Sequence, residues 1–236
     1  MIVIAAGMQR SGSIYSFNVL RDVLRRRGQL HQEPTCAVEA ALVRAEAAGA
    51  DHVLLKAHHA DETLVRMLRV GAARAVCTVR RPDDAIASWI ETFGVGLEES
   101  IAAMRVWLAF YQRIRDVALV VPYADVDRRP IRTAWRIGRW IDPRLSPVQA
   151  ITIARRHAKA AVKARTDPLS PQDAGVADGG NSYFETATLF HRRHVSSLVS
   201  RPADARLDAD QLAHVRIALG PQLAAVGDPL LDLRFV

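Results

Sequence analysis

The sequence is poor in lysine and cysteine. Lysine accounts for only three of the 32 basic residues, at Lys56, Lys159 and Lys163, so arginine carries almost all of the positive charge. The two cysteines, Cys36 and Cys77, are far apart and lack the spacing of metal ligands. Neither a zinc site nor a disulfide framework is therefore indicated, which is typical of proteins in a reducing compartment.

Long hydrophobic runs are also missing. No apolar stretch approaches the ~18 residues that a membrane-spanning helix needs. The first six residues are too few, and lack the charged region, for a signal peptide. We therefore expect a soluble, cytoplasmic protein with no membrane span.

Blocks of five or six like charges, which mark nucleic-acid-binding tails, are absent although the net charge is +7. The arginines are spread along the chain in short clusters such as Arg25-Arg26-Arg27 and Arg192-Arg193. A basic balance still attracts small anionic ligands. We expect no nucleic-acid partner, and a basic nucleotide- or nucleic-acid-binding module remains the non-enzymatic alternative.

The order of apolar segments predicts the fold class. Short apolar runs alternate with longer periodic segments, which is typical of a parallel sheet covered by helices. The 236 residues suit a single domain over residues 1–236, with a three-layer αβα architecture and a phosphate-binding loop after the first strand. The predicted strands are Ile2–Ala6, His52–Lys56, Ala73–Val79 and Ala118–Pro122.

Helical periodicity and end signals predict the connecting elements. Pro82 suits the first position of a helix, and the prolines and glycines between residues 166 and 181 predict a mobile loop. We read Trp89, Phe93, Trp107 and Phe110 as core residues. The predicted helices are Ile14–Arg27, Ala37–Ala48, Pro82–Thr92, Leu97–Val117, Ile131–Ile141, Val148–Arg165 and Asp208–Leu223.

A glycine-containing turn follows the first strand and precedes the first helix. Such a turn aims several backbone N–H groups and the positive end of the helix dipole at one point, which favours an anion. Gly7 and Gly12 permit the sharp turn and a close approach of the backbone to a ligand. Arg10 offers a guanidinium for phosphate or sulfate oxygens, and Ser11 and Ser13 offer hydroxyl groups.

This loop differs from the ATP-type phosphate loop. That motif requires Gly-x-x-x-x-Gly-Lys-Ser/Thr. Gly7 and Gly12 have the glycine spacing, but Ser13 and Ile14 stand where the lysine and the magnesium-binding hydroxyl belong. A kinase that used this loop would need other groups for both tasks.

Two further strand ends carry polar residues suited to chemistry. Arg80 follows the strand Ala73–Val79, at the edge where open α/β sheets bind ligands, and Ser88 lies in the next helix. Lys56 closes another strand and is followed by His58 and His59. A histidine whose pKa is near ~6.5 can take a proton from a hydroxyl at neutral pH.

These three segments resemble, in the same order, the signature segments of the PAPS-dependent sulfotransferases. The segment Arg10-Ser11-Gly12-Ser13-Ile14-Tyr15 resembles the family's 5′-phosphosulfate loop, with arginine, isoleucine and tyrosine in place of lysine, a hydroxyl residue and tryptophan. Lys56-Ala57-His58 resembles its Lys-Thr-His segment. The Arg-x-Pro-x-Asp-x-x-x-Ser spacing from Arg80 to Ser88 resembles its 3′-phosphate segment.

Weaker similarities follow in the second half of the chain. Tyr123-Ala124-Asp125 is similar to the family's Tyr-Glu-Asp, whose tyrosine lies near the nucleotide. Leu189-Phe190-His191-Arg192-Arg193-His194 stands where the family has an Arg-Lys-Gly segment that closes over the 3′-phosphate.

The resemblance implies transfer of a sulfuryl group from PAPS to a small-molecule or glycan acceptor, with 3′,5′-ADP as the other product and no metal. It implies that His58 is the general base and that Lys56 and Arg10 stabilise charge on the transferred group. The 5′-phosphate would be held by the backbone of Ser11, Gly12, Ser13 and Ile14. The remaining nucleotide contacts would come from Arg80, Ser88, Tyr123, Arg192 and Arg193.

Other functions remain open from the sequence. A nucleotide or small-molecule kinase would need magnesium and is disfavoured by Ser13-Ile14 and by the segment from Arg80 to Ser88. A nucleic-acid-binding module would bind with steep salt dependence. An inactive sulfotransferase-like protein is also compatible with the departures at Arg10 and Ile14. The acceptor, the oligomeric state and the choice between His58 and His59 are not readable.

Overall fold

The computed structural model describes residues 1–35, 37–180, 182–192, 194–195 and 198–232. Cys36 and Arg193, which entered the sequence predictions, lie outside the described residues.

The centre of the protein is a five-stranded parallel sheet with the strand order β2-β3-β1-β4-β5. β1 occupies the middle, where Ile4 lies between Leu55 of β3 and Ala75 of β4. β1 and β3 are buried almost throughout because helices cover both faces. The strands are β1 Ile2–Ala5, β2 Leu30–Glu33, β3 His52–Lys56, β4 Ala73–Val79 and β5 Leu119–Pro122.

Ten α-helices are found in the described part of the chain, and they pack on both sides of the sheet. One side is covered by α2, α3, α4, α5 and α10, and the other by α1, α7 and α8. The predicted α/β class with three layers is therefore confirmed. The helices are α1 Ser13–Leu24, α2 Val38–Ala47, α3 Glu62–Arg69, α4 Pro82–Phe93, α5 Leu97–Ile114, α6 Tyr123–Arg128, α7 Pro130–Ile141, α8 Pro147–Arg156, α9 Lys159–Thr166 and α10 Ala209–Val226.

In the main sheet and among the helices before α7, the sequence prediction missed β2, α3 and α6. Strand β2 has the sequence Leu-His-Gln-Glu and lies at the sheet edge with every residue half-buried, so it has no apolar run. Helix α3 was missed although its N-cap Asp61 and its buried Leu64, Val65 and Leu68 give a helical signal. Helix α6 has only six residues, too few for a clear apolar period. Short elements of this kind are fixed by tertiary packing more than by local pattern.

The single helix predicted over Val148–Arg165 is wrong, because the structure contains two helices there. The chain breaks at His157 and Ala158, and Ala158 adopts an extended conformation. The buried His157 side chain bonds the carboxylate of Asp22 on α1 at 3.0 Å. This long-range contact is invisible to helical periodicity.

The predicted loop over residues 166–181 contains regular structure. Its strand β6, Val176–Asp178, pairs antiparallel with β7, Tyr183–Glu185. The hairpin is followed by residues that return to the carboxyl edge of the main sheet. Two short 3₁₀ turns, at Ala203–Ala205 and Pro229–Leu231, flank α10. No helix among the described residues has both the length and the apolarity needed to cross a bilayer.

Trp107 anchors the core beneath the end of β1. Its ring is fully buried and stacks on Tyr111 with 4.8 Å between centroids. Its indole N–H donates to the carbonyl of Ala6 at 3.1 Å, just before the glycine-containing loop begins. The core helix α5 thus fixes the point at which the chain leaves the sheet. Trp107 and Phe110 are core residues as predicted from the sequence.

We expect Trp107→Ala to lower the free energy of unfolding by about 3–5 kcal/mol, because it leaves a cavity under β1. Trp107→Phe keeps most of the packing and removes only the hydrogen bond to Ala6, so about 1 kcal/mol is expected. Urea unfolding followed by circular dichroism measures both. The half-exposed Trp135 provides the control, since Trp135→Phe should cost less than about 0.5 kcal/mol. Equal losses for the two phenylalanine variants would contradict the assignment.

Candidate functional site

A cavity of about 690 Å³ opens at the carboxyl edge of the sheet. Its walls come from the loop after β1, the ends of β4 and β5, the start of α9, and the segments after β7 and before α10. In open α/β sheets, ligands bind at this edge where the strand order reverses. Here that point lies at β1, which has β3 as its neighbour on one side and β4 on the other.

The loop between β1 and α1 is held in a strained conformation. Arg10 has φ 56°, in the left-handed region that arginine rarely adopts, and Gly12 has φ 83°. Such strain persists when the surroundings enforce it, and it is concentrated at functional sites. Left-handed residues on either side of Ser11 turn backbone N–H groups toward one side, which forms an anion-binding concavity.

The amino end of α1 is open toward the cavity. Gly12 is its N-cap residue and makes no side-chain capping bond. In the described part of the chain we find no acceptor for the backbone N–H groups of Gly12, Ser13 and Ile14. Because these donors and the helix dipole face the cavity, this end of α1 suits a phosphate or sulfate group.

Gly7 sets the position of this loop. A Cβ atom at Gly7 would lie 1.9 Å from Thr78 Oγ1 and 2.8 Å from Ser13 Cβ, so a side chain has no space. Ser11 lies behind the loop, outside the cavity lining. Its hydroxyl bonds the Met8 and Thr78 carbonyls at 2.6 and 2.9 Å and the Thr78 hydroxyl at 2.7 Å. The Ser11 side chain is thus occupied in holding the loop against β4.

Arg10 reaches across the cavity to α4. Its guanidinium donates to Ser88 Oγ at 3.2 Å and Thr92 Oγ1 at 3.1 Å, and to the His194 carbonyl at 3.3 Å. It also lies over the Phe93 ring. Burial lowers the pKa of Arg10 to about 10, and the positive charge of nearby Arg80 adds to this effect. The structure thus brings together Arg10, Arg80 and Ser88, three of the residues that the sequence analysis named as site residues.

Arg80 lies at the end of β4 and is almost completely buried. It donates to the Arg10 carbonyl at 3.2 Å and stacks over the Tyr123 ring, while its Nε has no partner in the described structure. Within the residues that the structure describes, neither Arg10 nor Arg80 forms an ion pair. Two buried guanidinium groups without a carboxylate are costly, and a bound anion would compensate them.

Three further basic residues, Lys159, Arg201 and Arg206, line the cavity and were missed by the sequence analysis. Arg206, before α10, donates to the Asp84 carbonyl at 3.1 Å, and nearby Arg80 contributes to lowering its pKa after the larger effect of burial. Lys159 pairs with Asp127 beside the Tyr123 ring. The scarcity of lysine, which drew attention to Lys56, also applied to Lys159. No motif marked Arg206.

Lys56 and His58 form a pair beneath the phosphate-binding loop. Lys56 Nζ lies 3.4 Å from His58 Nε2, and His58 Nδ1 lies 2.7 Å from the Gly7 carbonyl. A carbonyl only accepts, so Nδ1 carries the proton and Nε2 of the neutral ring keeps its lone pair. Burial, and then the charge of Lys56, lower the pKa of His58 to about 3. Burial lowers the pKa of Lys56 to about 7.

The remaining predicted site residues occupy different places. His58, Ser13, Ile14 and Tyr123 line the cavity. By contrast, His59 and Arg192 are exposed and are absent from its lining. Lys56 is almost completely buried, is absent from the cavity lining and contacts Nε2 of His58.

The end of the cavity near Arg10 is aromatic. Trp89 and Phe93 line it, so the sequence reading of these two as core residues is corrected. His191 packs edge-on against Phe93 at 5.6 Å between centroids, and His194 packs against Phe190 at 5.2 Å. The segment after β7 thus covers this end with flat, mostly apolar side chains. No group of three or more histidine, cysteine, aspartate or glutamate side chains suited to a metal ion occurs in the described residues.

The fold has relatives among solved structures. Mouse sulfotransferase SULT7A1 in complex with PAP matches 94% of this chain and 83% of that chain, with a TM-score of 0.61 and 11% identity. Retinol dehydratase in complex with androsterone and inactive cofactor PAP matches 99% and 82%, with a TM-score of 0.59 and 11% identity. Retinol dehydratase in a complex with retinol and PAP matches 100% and 83%, with a TM-score of 0.58 and 13% identity.

No protein-family model and no curated protein matches the chain. The structural similarity extends over almost the whole chain. Sequence identities of 11–13% support a shared fold and nothing finer. The chain therefore has the sulfotransferase fold.

The buried arginines predict that the cavity binds polyanions. We expect inorganic pyrophosphate to raise the thermal unfolding midpoint of the protein, since a ligand at a hundredfold excess over its Kd adds about 2.7 kcal/mol. Arg80→Met should abolish this response and change the stability of the free protein by less than about 1 kcal/mol, because relief of repulsion from Arg10 offsets loss of the Tyr123 contact.

The matched control is Arg66→Met, which removes an exposed arginine that does not line the cavity. This variant should respond to pyrophosphate like the unmodified protein. A full response in Arg80→Met, measured by differential scanning fluorimetry, would show that the anion binds elsewhere.

Proposed function

We propose that the protein is a PAPS-dependent sulfotransferase that transfers a sulfuryl group to a hydroxyl or amine of a small acceptor. The observation that carries this proposal is the pairing of two buried, carboxylate-free arginines with the open amino end of α1, directly beside a neutral histidine. The arginines and the helix end suit a nucleotide with two separate phosphates. The histidine suits proton removal from an acceptor.

The donor fits the residues that line the cavity. Backbone N–H groups of Gly12, Ser13 and Ile14 would hold the 5′-phosphate, since they have no other acceptor in the described chain. Arg80, with its free Nε, and Ser88 would hold the 3′-phosphate. PAPS supplies the sulfuryl group and leaves 3′,5′-ADP. Arg206 and Lys159 also line the cavity, where each is paired with a carboxylate, Glu91 and Asp127 respectively.

His58 is the proposed general base. The bond from Nδ1 to the Gly7 carbonyl fixes the ring, so that Nε2 is the atom that accepts the acceptor's proton. In the free protein the low pKa keeps His58 neutral. Negative charge bound at the neighbouring loop would raise this pKa, because it stabilises the imidazolium.

Lys56 and Arg10 are proposed to stabilise negative charge that develops during transfer. Lys56 has no carboxylate partner in the described structure, and its pKa of about 7 shows how strongly its burial disfavours the charged form. An anion beside His58 would favour protonation of Lys56. Preorganised cations in a site that excludes water stabilise a transition state strongly.

A small acceptor with an apolar part fits better than a polymer. The cavity of about 690 Å³ has to accommodate both donor and acceptor. The aromatic side chains of Trp89, Phe93 and Phe190 line the same cavity and provide an apolar wall for an acceptor. A glycan would have to lie largely outside this wall.

Titration calorimetry with 3′,5′-ADP tests the donor assignment. We expect 3′,5′-ADP to bind without magnesium and 5′-AMP to bind at least about tenfold more weakly, because only the former engages a 3′-phosphate site and a charged hydrogen bond contributes about 1.5–3 kcal/mol. Arg80→Met should remove the difference between the two nucleotides. Magnesium-dependent binding of ATP in preference to 3′,5′-ADP would instead support a kinase.

We expect His58→Ala to lower kcat by about 10²–10⁴-fold while the affinity for 3′,5′-ADP changes little, since general-base catalysis contributes this factor. His59→Ala is the matched control, because His59 is exposed and lies outside the cavity lining. The measurement is turnover of radiolabelled PAPS with a panel of phenols and alcohols. Undiminished turnover of His58→Ala, or an equal loss in His59→Ala, would refute the base assignment.

A further inference from the structure

The outward side of α7 carries an unusual set of exposed residues. Between positions 128 and 144 the chain has six arginines and a single aspartate. Helical geometry places Ile131, Arg132, Trp135, Arg139 and their neighbours on one half of the helix, and these residues are exposed. We define the α7 surface as the exposed residues Arg128, Arg129, Ile131, Arg132, Trp135, Arg136, Arg139 and Trp140.

The positive charge of the α7 surface faces few carboxylates of the described chain. Among the described residues, none of the five arginines of this surface forms an ion pair with a carboxylate. Arg129, Arg132 and Arg136 line a small cleft of about 160 Å³, together with Thr133 and Asp125. The Thr133 hydroxyl is bonded to the Asp125 carbonyl. The cleft is therefore lined by three arginines and one aspartate.

Tryptophan and isoleucine lie among these arginines. Trp135 is 42% exposed, Trp140 40% and Ile131 44%. Arg139 lies over the Trp135 ring and Arg74 over the Trp140 ring. Large apolar side chains clustered on a surface mark an interaction site, whereas isolated ones do not.

Three kinds of partner can be compared by their chemistry. In a symmetric dimer the same arginines would face each other, and like charges would repel across the interface. A nucleic acid would satisfy the arginines and stack on tryptophan, but it offers nothing apolar to Ile131. An anionic lipid surface suits the arginines, the tryptophans and Ile131 together. Lipid phosphates bind arginine, indole rings prefer the headgroup level, and aliphatic side chains contact acyl chains.

We propose that the α7 surface docks the protein on anionic phospholipid membranes, with a lipid headgroup phosphate bound in the cleft of Arg129, Arg132 and Arg136. The surface adjoins the large cavity, because Pro130, the first residue of α7, also lines that cavity. Docking therefore brings the cavity rim close to the membrane. This proposal is independent of the chemistry in the cavity.

Vesicle co-sedimentation tests the proposal with the full-length protein. We expect binding to vesicles of phosphatidylcholine mixed equally with phosphatidylglycerol and little binding to pure phosphatidylcholine, with loss at high sodium chloride. Arg132→Glu should weaken binding about 20-fold, because two charge units are removed near an anionic surface. Trp135→Ala should weaken it without changing the salt dependence. Inorganic phosphate should not compete at concentrations that leave the vesicles intact, since the apolar contacts require lipid.

The matched control is Arg66→Glu, which makes the same charge change at an exposed arginine of α3 on the other side of the sheet. It should bind vesicles almost as well as the unmodified protein. Equal loss in both glutamate variants, no preference for anionic vesicles, or a preference of the same surface for single-stranded RNA over vesicles would each overturn the proposal. Unchanged circular dichroism and 3′,5′-ADP binding of Arg132→Glu would show that the variant is folded and separate this result from the proposed enzymatic activity.

Discussion

The loop after β1 is held against the end of β4 by contacts that leave no space for a side chain at Gly7. Backbone bonds continue past the end of β1, from Ala6 N–H to the Val76 carbonyl and from Met8 N–H to the Thr78 carbonyl, both at 2.9 Å. The Ser11 hydroxyl adds two bonds to Thr78. The rest of the site depends on this attachment, because it brings Arg10 of the loop and Arg80 of β4 within contact of each other.

That arrangement collects positive charge that the protein does not neutralise internally. Arg10 and Arg80 are satisfied in part by hydroxyl and carbonyl groups and by the faces of Phe93 and Tyr123. Carbonyl and ring contacts stabilise a guanidinium less than a carboxylate would. The free-energy cost of burying these two guanidinium groups that remains uncompensated lowers the stability of the folded protein, as is common where a site is arranged for an anionic ligand. Glu91 is instead paired with Arg201 and Arg206 at the rim.

The second half of the chain covers the site that the first half builds. The segment after β7 places His191 and His194 over the aromatic end. Ser200 then bonds Asp127 at 2.9 Å and the Tyr123 hydroxyl at 3.0 Å, and the Ala203 N–H bonds Asp84 at 2.7 Å. These contacts join segments more than 70 residues apart, so the cavity exists only in the folded chain.

The sequence by itself determined the sheet, the loop and the order of the strand-end residues. Buried strands leave apolar runs, a strand-to-helix turn leaves glycines, and the spacing from Arg80 to Ser88 is local, so each of these is visible in the sequence. The edge strand β2 and the six-residue helix α6 left no such signal, because their conformation depends on what they pack against. Helix α3 was missed although its Asp61 cap and its apolar positions Leu64, Val65 and Leu68 are visible in the sequence.

Only the tertiary structure decided which side chains meet. In the folded chain His58 lines the cavity, whereas His59 is exposed. The Ser11 hydroxyl bonds the Met8 carbonyl and thereby stabilises the loop. The tertiary structure also brought Arg206 and Lys159 to the site and broke the helix predicted over Val148–Arg165 at His157. The physical reason is the same in each case. The deciding hydrogen bond, ion pair or contact joins residues far apart in sequence, and periodicity and spacing record only neighbours along the chain.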